Sequence, residues 1–266
     1  MEANKRLDIL VSEILNCPRE YAKELITQGK CTVNNKQITK PGAKFNKAGN
    51  ILIDADPPKY VSRGGLKLAH ALKIFQINLQ DTMCMDVGAS TGGFTDCMLQ
   101  NGAKCVIAIE NGTAQLHKSL MDNPQIMSLE NTDIRNIDRA DLPFLPQFIC
   151  ADLSFISLTL VIPKLFELLI AGGKMVLLIK PQFEVGKGKV DKHGVAKCPK
   201  EHVQALKRVI HALNNHGLCA KSISPSPVQG QAGNIEYLLL AEHGNAPFDD
   251  HKIQKVVKDA FSEFKQ

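Results

Sequence analysis

Apolar residues recur at helical intervals in some stretches of this chain and in short continuous runs in others. Leu7, Leu10, Val11, Ile14 and Leu15 fall on one helical face, which predicts an opening amphipathic helix. Pro18 suits the first turn of a second helix, with Ala22, Leu25 and Ile26 as its apolar face and Gly29 as its end. Cys31-Thr32-Val33, Asn34-Asn35 and Gln37-Ile38 then read as strand, turn and return, and Ile51-Leu52-Ile53 as a closing strand. Two helices with a small sheet make a compact α+β module.

Asp56-Pro57-Pro58-Lys59-Tyr60-Val61 is a stiff proline-containing connector. The predicted division is therefore a module over 1–56, a linker over 57–63 and a larger domain over 64–266. The larger domain opens with a helix whose stripe is Leu68, Ala71, Leu72 and Phe75; Lys67 lies off that stripe. Seven strand-like segments follow: Met83–Met85, Cys105–Ile109, Met127–Leu129, Phe148–Cys150, Met175–Ile179, Leu218–Ile223 and Glu236–Ala241. Helical faces lie among them, such as Leu206, Val209, Ile210 and Leu213, and Ile253, Val256, Val257, Ala260, Phe261 and Phe264 close the chain. Short buried strands alternating with helices predict an open α/β sheet.

The first of these strands runs into Asp86-Val87-Gly88-Ala89-Ser90-Thr91-Gly92-Gly93-Phe94-Thr95-Asp96. Such glycines let the backbone turn sharply and let a ligand come close to it. A dinucleotide site would show G-x-G-x-x-G, which this spacing fits poorly. Gly88-Ala89-Ser90-Thr91-Gly92 does match the G-x-S-x-G of serine hydrolases, which would need His193 or His202 near Ser90, but that elbow normally follows several strands of its sheet. An S-adenosylmethionine site, with Asp86 ending the strand and small residues clearing room, fits best. Glu110 closes the second strand about 20 residues on, where a carboxylate meets the two ribose hydroxyls of a nucleoside. Asp133 is placed for an adenine amino group. Asp152 and Lys180 end two further strands, at the edge where an open sheet puts its ligands.

Composition narrows the class. Eight cysteines are scattered without C-x-x-C or other metal-ligand spacing, which predicts reduced thiols, no metal and a cytoplasmic setting. The N-terminus lacks the apolar core of a signal peptide and no stretch is apolar enough to span a bilayer, so no membrane role is expected. The net charge of +5 is uneven: residues 1–63 carry eleven Lys/Arg against seven Asp/Glu, and the remainder is near neutral. A basic small module beside a neutral large one suggests a polyanionic partner.

Arg6-Leu7-Asp8, Pro18-Arg19, Leu25-Ile26, Gly29-Lys30 and Val33-Asn34 resemble the alpha-L RNA-binding domain, named after ribosomal protein S-four. That resemblance implies contacts with RNA phosphates through Arg6, Arg19, Lys23, Lys30, Lys36, Lys40 and Arg63; Lys44 and Lys47 add to the same basic surface. The succession Val61–Leu68, Asp86–Thr95, Ala151–Ser157, Ile179–Glu184 and Asn234–Tyr237 closely resembles the TlyA (haemolysin A) family. The resemblance implies a Rossmann-like, FtsJ-like methyltransferase domain of seven strands, the last antiparallel, dependent on S-adenosylmethionine. It implies 2′-O-methylation of cytidine in ribosomal RNA within ribosomal subunits. The catalytic set maps onto Lys67, Asp152, Lys180 and Glu236, and the cofactor-binding set onto Asp86, Gly88, Ala89, Ser90, Thr91, Gly92, Gly93, Phe94, Glu110, Asp133 and Asp152. Relatives more often carry Asp where this chain has Glu110. Two alternatives remain at this point: an RNA-binding assembly factor that binds cofactor without transferring a methyl group, and a haemolysin.

Overall fold

A computed structural model describes residues 4–15, 17–45, 50–186 and 188–264 of the chain. Its contacts divide the chain into two compact units, residues 1–63 and 64–266.

In the first unit β1 (Lys5–Arg6) runs directly into α1 (Leu7–Leu15), and α2 (Arg19–Thr27) follows Pro18. Four short strands come next: β2 (Cys31–Val33), β3 (Lys36–Gln37), β4 (Lys44–Phe45) and β5 (Ile51–Ile53). β2 is the centre of an antiparallel sheet with β3 and β5, and β4 pairs with β1. Asn34 and Asn35 both adopt positive φ, 50° and 62°, which matches the twist of a tight hairpin and which asparagine tolerates. The return strand therefore starts at Lys36, one residue before the expected position. The apolar faces of both helices close on Cys31 and Val33, with Leu7, Val11, Ala22 and Ile26 fully buried. Each buried leucine or isoleucine side chain contributes about 1.5–3 kcal/mol relative to exposure.

The second unit opens with α3 (Gly64–Ile74) and continues as β6 (Met83–Val87), α4 (Gly93–Gln100), β7 (Cys105–Ile109), α5 (Lys118–Met121) and β8 (Ile126–Leu129). It then returns through β9 (Phe148–Ala151), α6 (Ile162–Leu168), β10 (Lys174–Ile179), α7 (Pro181–Glu184), α8 (Pro199–Asn215), β11 (Leu218–Pro225), β12 (Tyr237–His243) and α9 (Asp250–Glu263). Seven strands form one sheet in the order β11-β12-β10-β9-β6-β7-β8. The strands from β6 to β10 are mutually parallel, and β12, the last in the chain, runs antiparallel to both of its neighbours. This is the expected fold class.

The parallel strands are apolar on both faces because both faces are covered. Met85, Ile107, Ile149, Leu177 and Leu239 share one core with α6, α8 and α9. The intervening positions meet α4: Asp86 bonds Thr95, and Cys150 touches Met98. The chain enters the sheet at β6, works outward to β8, and then crosses back to β9. Strand order thus reverses between β6 and β9, and the loops leaving their carboxyl ends diverge into a crevice. Among the described residues no helix is long and apolar enough to cross a membrane, and no group of three or more His, Cys, Asp or Glu is placed to hold a metal ion. All eight cysteines lie among the described residues, and none is in a disulfide.

Candidate active site

The crevice holds a cavity of about 900 Å³. Gly88 forms its floor at φ +83°, where a Cβ would lie 2.5 Å from the backbone oxygen of Asp152. Only glycine meets both requirements, positive φ and close approach of two backbones. The turn is fixed to the neighbouring strand, because the amides of Gly88 and Ala89 both donate to Ile109 O, at 2.9 and 3.0 Å. Gly92, at φ +89°, ends the turn and starts α4.

Of the residues expected around a cofactor, Gly88, Ser90, Glu110, Asp133 and Asp152 line this cavity. Glu110 is cradled: its Oε2 accepts from the Ser90 amide and its Oε1 from the Gly112 amide, each at 2.8 Å. That pair of bonds links the carboxylate to the glycine turn and holds it at the cavity wall. Asp133 is gripped by Arg135, whose Nε and Nη2 both reach the carboxylate and hold its pKa below the usual value. Ala89, Gly92, Gly93 and Phe94 are buried and Thr91 is exposed, and none of these five is among the residues lining the cavity.

Asp86 also points away from the cavity. It is fully buried, accepting from Thr95 Oγ1 at 2.6 Å and from the Cys150 thiol at 3.6 Å, and so pins α4 to β6. Burial pushes its carboxyl up to about 7, opposed by the Thr95 hydrogen bond. A carboxyl that holds its proton more firmly when folded contributes stability below the ordinary value of 3.8, and loses it as pH rises through about 7. Thermal melts between pH 5 and 8 are therefore expected to show wild-type stability declining relative to Asp86→Asn. Parallel profiles for the two proteins would contradict this assignment.

Four charged groups gather at one end of the sheet. Lys180 leaves β10, with its Nζ 2.6 Å from Asp152 Oδ1 and donating to Ser154 Oγ at 2.9 Å. The ion pair is close without hydrogen-bond alignment, since among the described residues Asp152 Oδ1 has no hydrogen-bond partner. Lys67, on the first turns of α3, is buried and forms a 2.5 Å ion pair with Glu236. The ladder between β10 and β12 pairs Ile179 with Tyr237, so the next step places Lys180 opposite Glu236. Strand register thus makes neighbours of two ion pairs whose members lie up to 169 residues apart.

Several supporting residues were not singled out by sequence reasoning. Glu184 is buried and holds the loop after Asp152, accepting from Ser157 Oγ at 2.6 Å and from the Leu158 amide at 2.8 Å. Burial raises its pKa. Asn234, also buried, bonds the Ala196 amide and Gly194 O just before Glu236. Gly230 lies over Glu236, where a Cβ would sit 2.1 Å from Oε1. Each stands inside or beside a motif already conspicuous in sequence, which was the available signal. Phe155 lines the cavity while 89% exposed, with φ +64° and its ring 5.1 Å from that of Phe183.

Neither histidine considered as a partner for Ser90 lines its cavity. His202 is fully buried, spent on Tyr237 OH and Ala196 O at 2.9 and 2.8 Å, and burial lowers its pKa. His193 is exposed in a turn built on Asp191. In the first unit Arg6, Arg19, Lys30, Lys36, Lys40, Lys44 and Arg63 are exposed or half-exposed and Lys23 is partly buried. Lys47 lies outside the described residues.

Residues 60–243 match the family described as FtsJ-like methyltransferase, and residues 5–49 match the S4 domain. The chain is 40% identical, over 98% of its length and 96% of the other's, to a Bacillus subtilis protein named as a candidate rRNA methyltransferase, YqxC. It is 36% identical to the 16S/23S rRNA (cytidine-2′-O)-methyltransferase TlyA of Mycobacterium tuberculosis, covering 90% of each. A solved structure from Streptococcus thermophilus, described as a candidate hemolysin, superposes with a TM-score of 0.80 at 38% identity, covering 98% of this chain and 97% of that one.

Proposed function

Because this chain belongs to the FtsJ-like methyltransferase family, we propose that it transfers a methyl group from S-adenosylmethionine to the 2′-hydroxyl of a cytidine in ribosomal RNA. The fold is that of S-adenosylmethionine-dependent methyltransferases, and an S4 domain stands at the N-terminus. The observation that carries the reading is the juxtaposition of Lys180–Asp152 with Lys67–Glu236 at the end of the sheet.

The residues fit the cofactor. A cradled carboxylate at a strand end, Glu110, suits a ribose diol, and a glycine floor with no room for a Cβ suits close approach of a ligand. Bound S-adenosylmethionine supplies an already electrophilic methyl on a sulfonium. What remains for the protein is the acceptor. A ribose hydroxyl keeps its proton at neutral pH and is a weak nucleophile. In the transfer an O–C bond forms on the ribose as the C–S bond breaks, and the hydroxyl proton must leave. Lys180 is the residue assigned to that oxygen: as the free amine it takes the proton, and as the ammonium it stabilises the developing charge while the proton passes to solvent. Asp152 and Ser154 fix its direction. The Lys67–Glu236 pair places a second ammonium beside the first, held by its own carboxylate. The exposed face of Phe155 at the cavity wall offers a stacking surface for the base attached to that ribose.

The test is transfer of labelled methyl from S-adenosylmethionine to separated, unmodified small and large ribosomal subunits. Label is expected on ribose of RNA from at least one subunit, and digestion to nucleosides is expected to give 2′-O-methylcytidine. Label on a base, or cofactor binding with no transfer to either subunit, would overturn the reading.

A further inference from the structure

The first unit holds a buried acid where a basic surface would be expected to exclude one. Asp8 is fully buried. Its Oδ1 accepts from Arg6 Nε at 3.1 Å, and its Oδ2 accepts from Arg6 Nη2 at 2.9 Å and Arg19 Nη2 at 3.0 Å. The two guanidinium groups share one oxygen and are therefore neighbours, yet each arginine side chain is more than 40% exposed. The backbone is built around this arrangement. Leu7 and Asp8 donate to Ala43 O and Pro41 O, which brings Gly42 against Arg6; a Cβ on Gly42 would lie 3.3 Å from Arg6 Nη1 and Nη2. Across the β1–β4 ladder Arg6 pairs with Lys44, which is exposed.

One carboxylate cannot neutralise two guanidinium groups. Among the described residues Arg6 Nη1 and Arg19 Nε make no hydrogen bond, so each fork keeps N–H donors beyond those given to Asp8. Guanidinium N–H pairs match phosphate oxygens, and their strength as a site depends on being held in place. We propose that Asp8 is a positioning residue that holds Arg6 and Arg19 as one two-guanidinium clamp for an RNA phosphate. This acid therefore strengthens binding to a polyanion. The proposal rests on the RNA-directed reading of the chain and adds to it a specific, pre-ordered contact.

Two physical effects oppose each other at this position. Removing the carboxylate makes the surface more positive, which by net charge alone tightens RNA binding. It also frees two long side chains whose ordering must then be supplied on binding. If the clamp is real, the second effect wins. Binding of the full chain to naked, unmodified ribosomal RNA tests this. Asp8→Asn is expected to raise Kd about tenfold, the cost of two newly mobile side chains. The slope of log affinity against log salt should also shrink by roughly one phosphate contact. In the transfer assay KM for RNA should rise with kcat and cofactor affinity unchanged; a merely structural defect would impair all three. Equal or tighter RNA binding by Asp8→Asn overturns the proposal. Should Asp8→Asn fail to fold, Arg19→Lys carries the test, because it keeps the charge and removes the fork. Its Kd is expected to rise, and an unchanged Kd overturns the proposal. If the wild type binds no RNA, the RNA-directed reading falls first, a result distinguishable from a variant that binds as well as the wild type.

Discussion

Lys180→Ala is expected to lose about 10²–10⁴-fold in the single-turnover rate of methyl transfer, the range that a positioned proton-transfer group supplies. Cofactor affinity should survive, because Lys180 is not itself among the residues lining the cavity that Glu110 and Gly88 shape. Calorimetric titration of the cofactor beside the rate measurement separates the two. A variant that keeps its transfer rate would remove Lys180 from the chemistry, and a variant that loses the cofactor would move it to binding. Lys180→Arg is informative as well: it retains a cation and hydrogen-bond donors but cannot serve as a neutral base. Activity retained in that variant would select charge stabilisation over proton removal.

The second large effect concerns stability. Glu236 and Lys67 are buried together, so removing either leaves an uncompensated charge in the interior. Glu236→Leu and Lys67→Met are each expected to cost about 3–5 kcal/mol in denaturant unfolding. The double variant should recover most of that, since an apolar pair replaces an ion pair at little or no net cost. Activity should not return with it. Recovery of stability without recovery of transfer would show that this pair is retained for the reaction. A double variant no more stable than its parents would show instead that the pair serves packing.

The sheet was readable in sequence because burial on two faces writes itself as continuous apolar runs, as in Cys105–Ile109 and Met175–Ile179. The β1–β4 ladder was not, because Lys5–Arg6 and Lys44–Phe45 are two-residue strands of largely polar composition, too short to show a periodicity. Lys67 shows the limit for side chains. Off its helix stripe it has the sequence signature of a solvated lysine, and its burial depends on a carboxylate 169 residues away. Only the family resemblance picked it out. Glu184 and Asn234 were overlooked for a related reason: apart from the Ser157 hydroxyl on Glu184, the partners named above are backbone groups of remote loops, which leave no trace in residue identity. Asp86 was legible as an acid at a strand end and Asp133 as an acid in the loop after the third strand. Which way each carboxylate turns was decided by Thr95 and Arg135, neighbours whose rotamers no periodicity encodes.

The reversed last strand has a consequence in time as well as in space. Lys67, Asp152 and Lys180 lie on parts of the chain that are made early, but their fourth companion, Glu236, arrives just ahead of β12. β12 must slot between β10 and β11, both already synthesised, before Lys67 meets its partner. A chain still emerging from the ribosome thus carries three of the four charged groups and no complete site. On the proposed assignment of these four residues, competence has to wait until the segment carrying Glu236 and the final strand has been made.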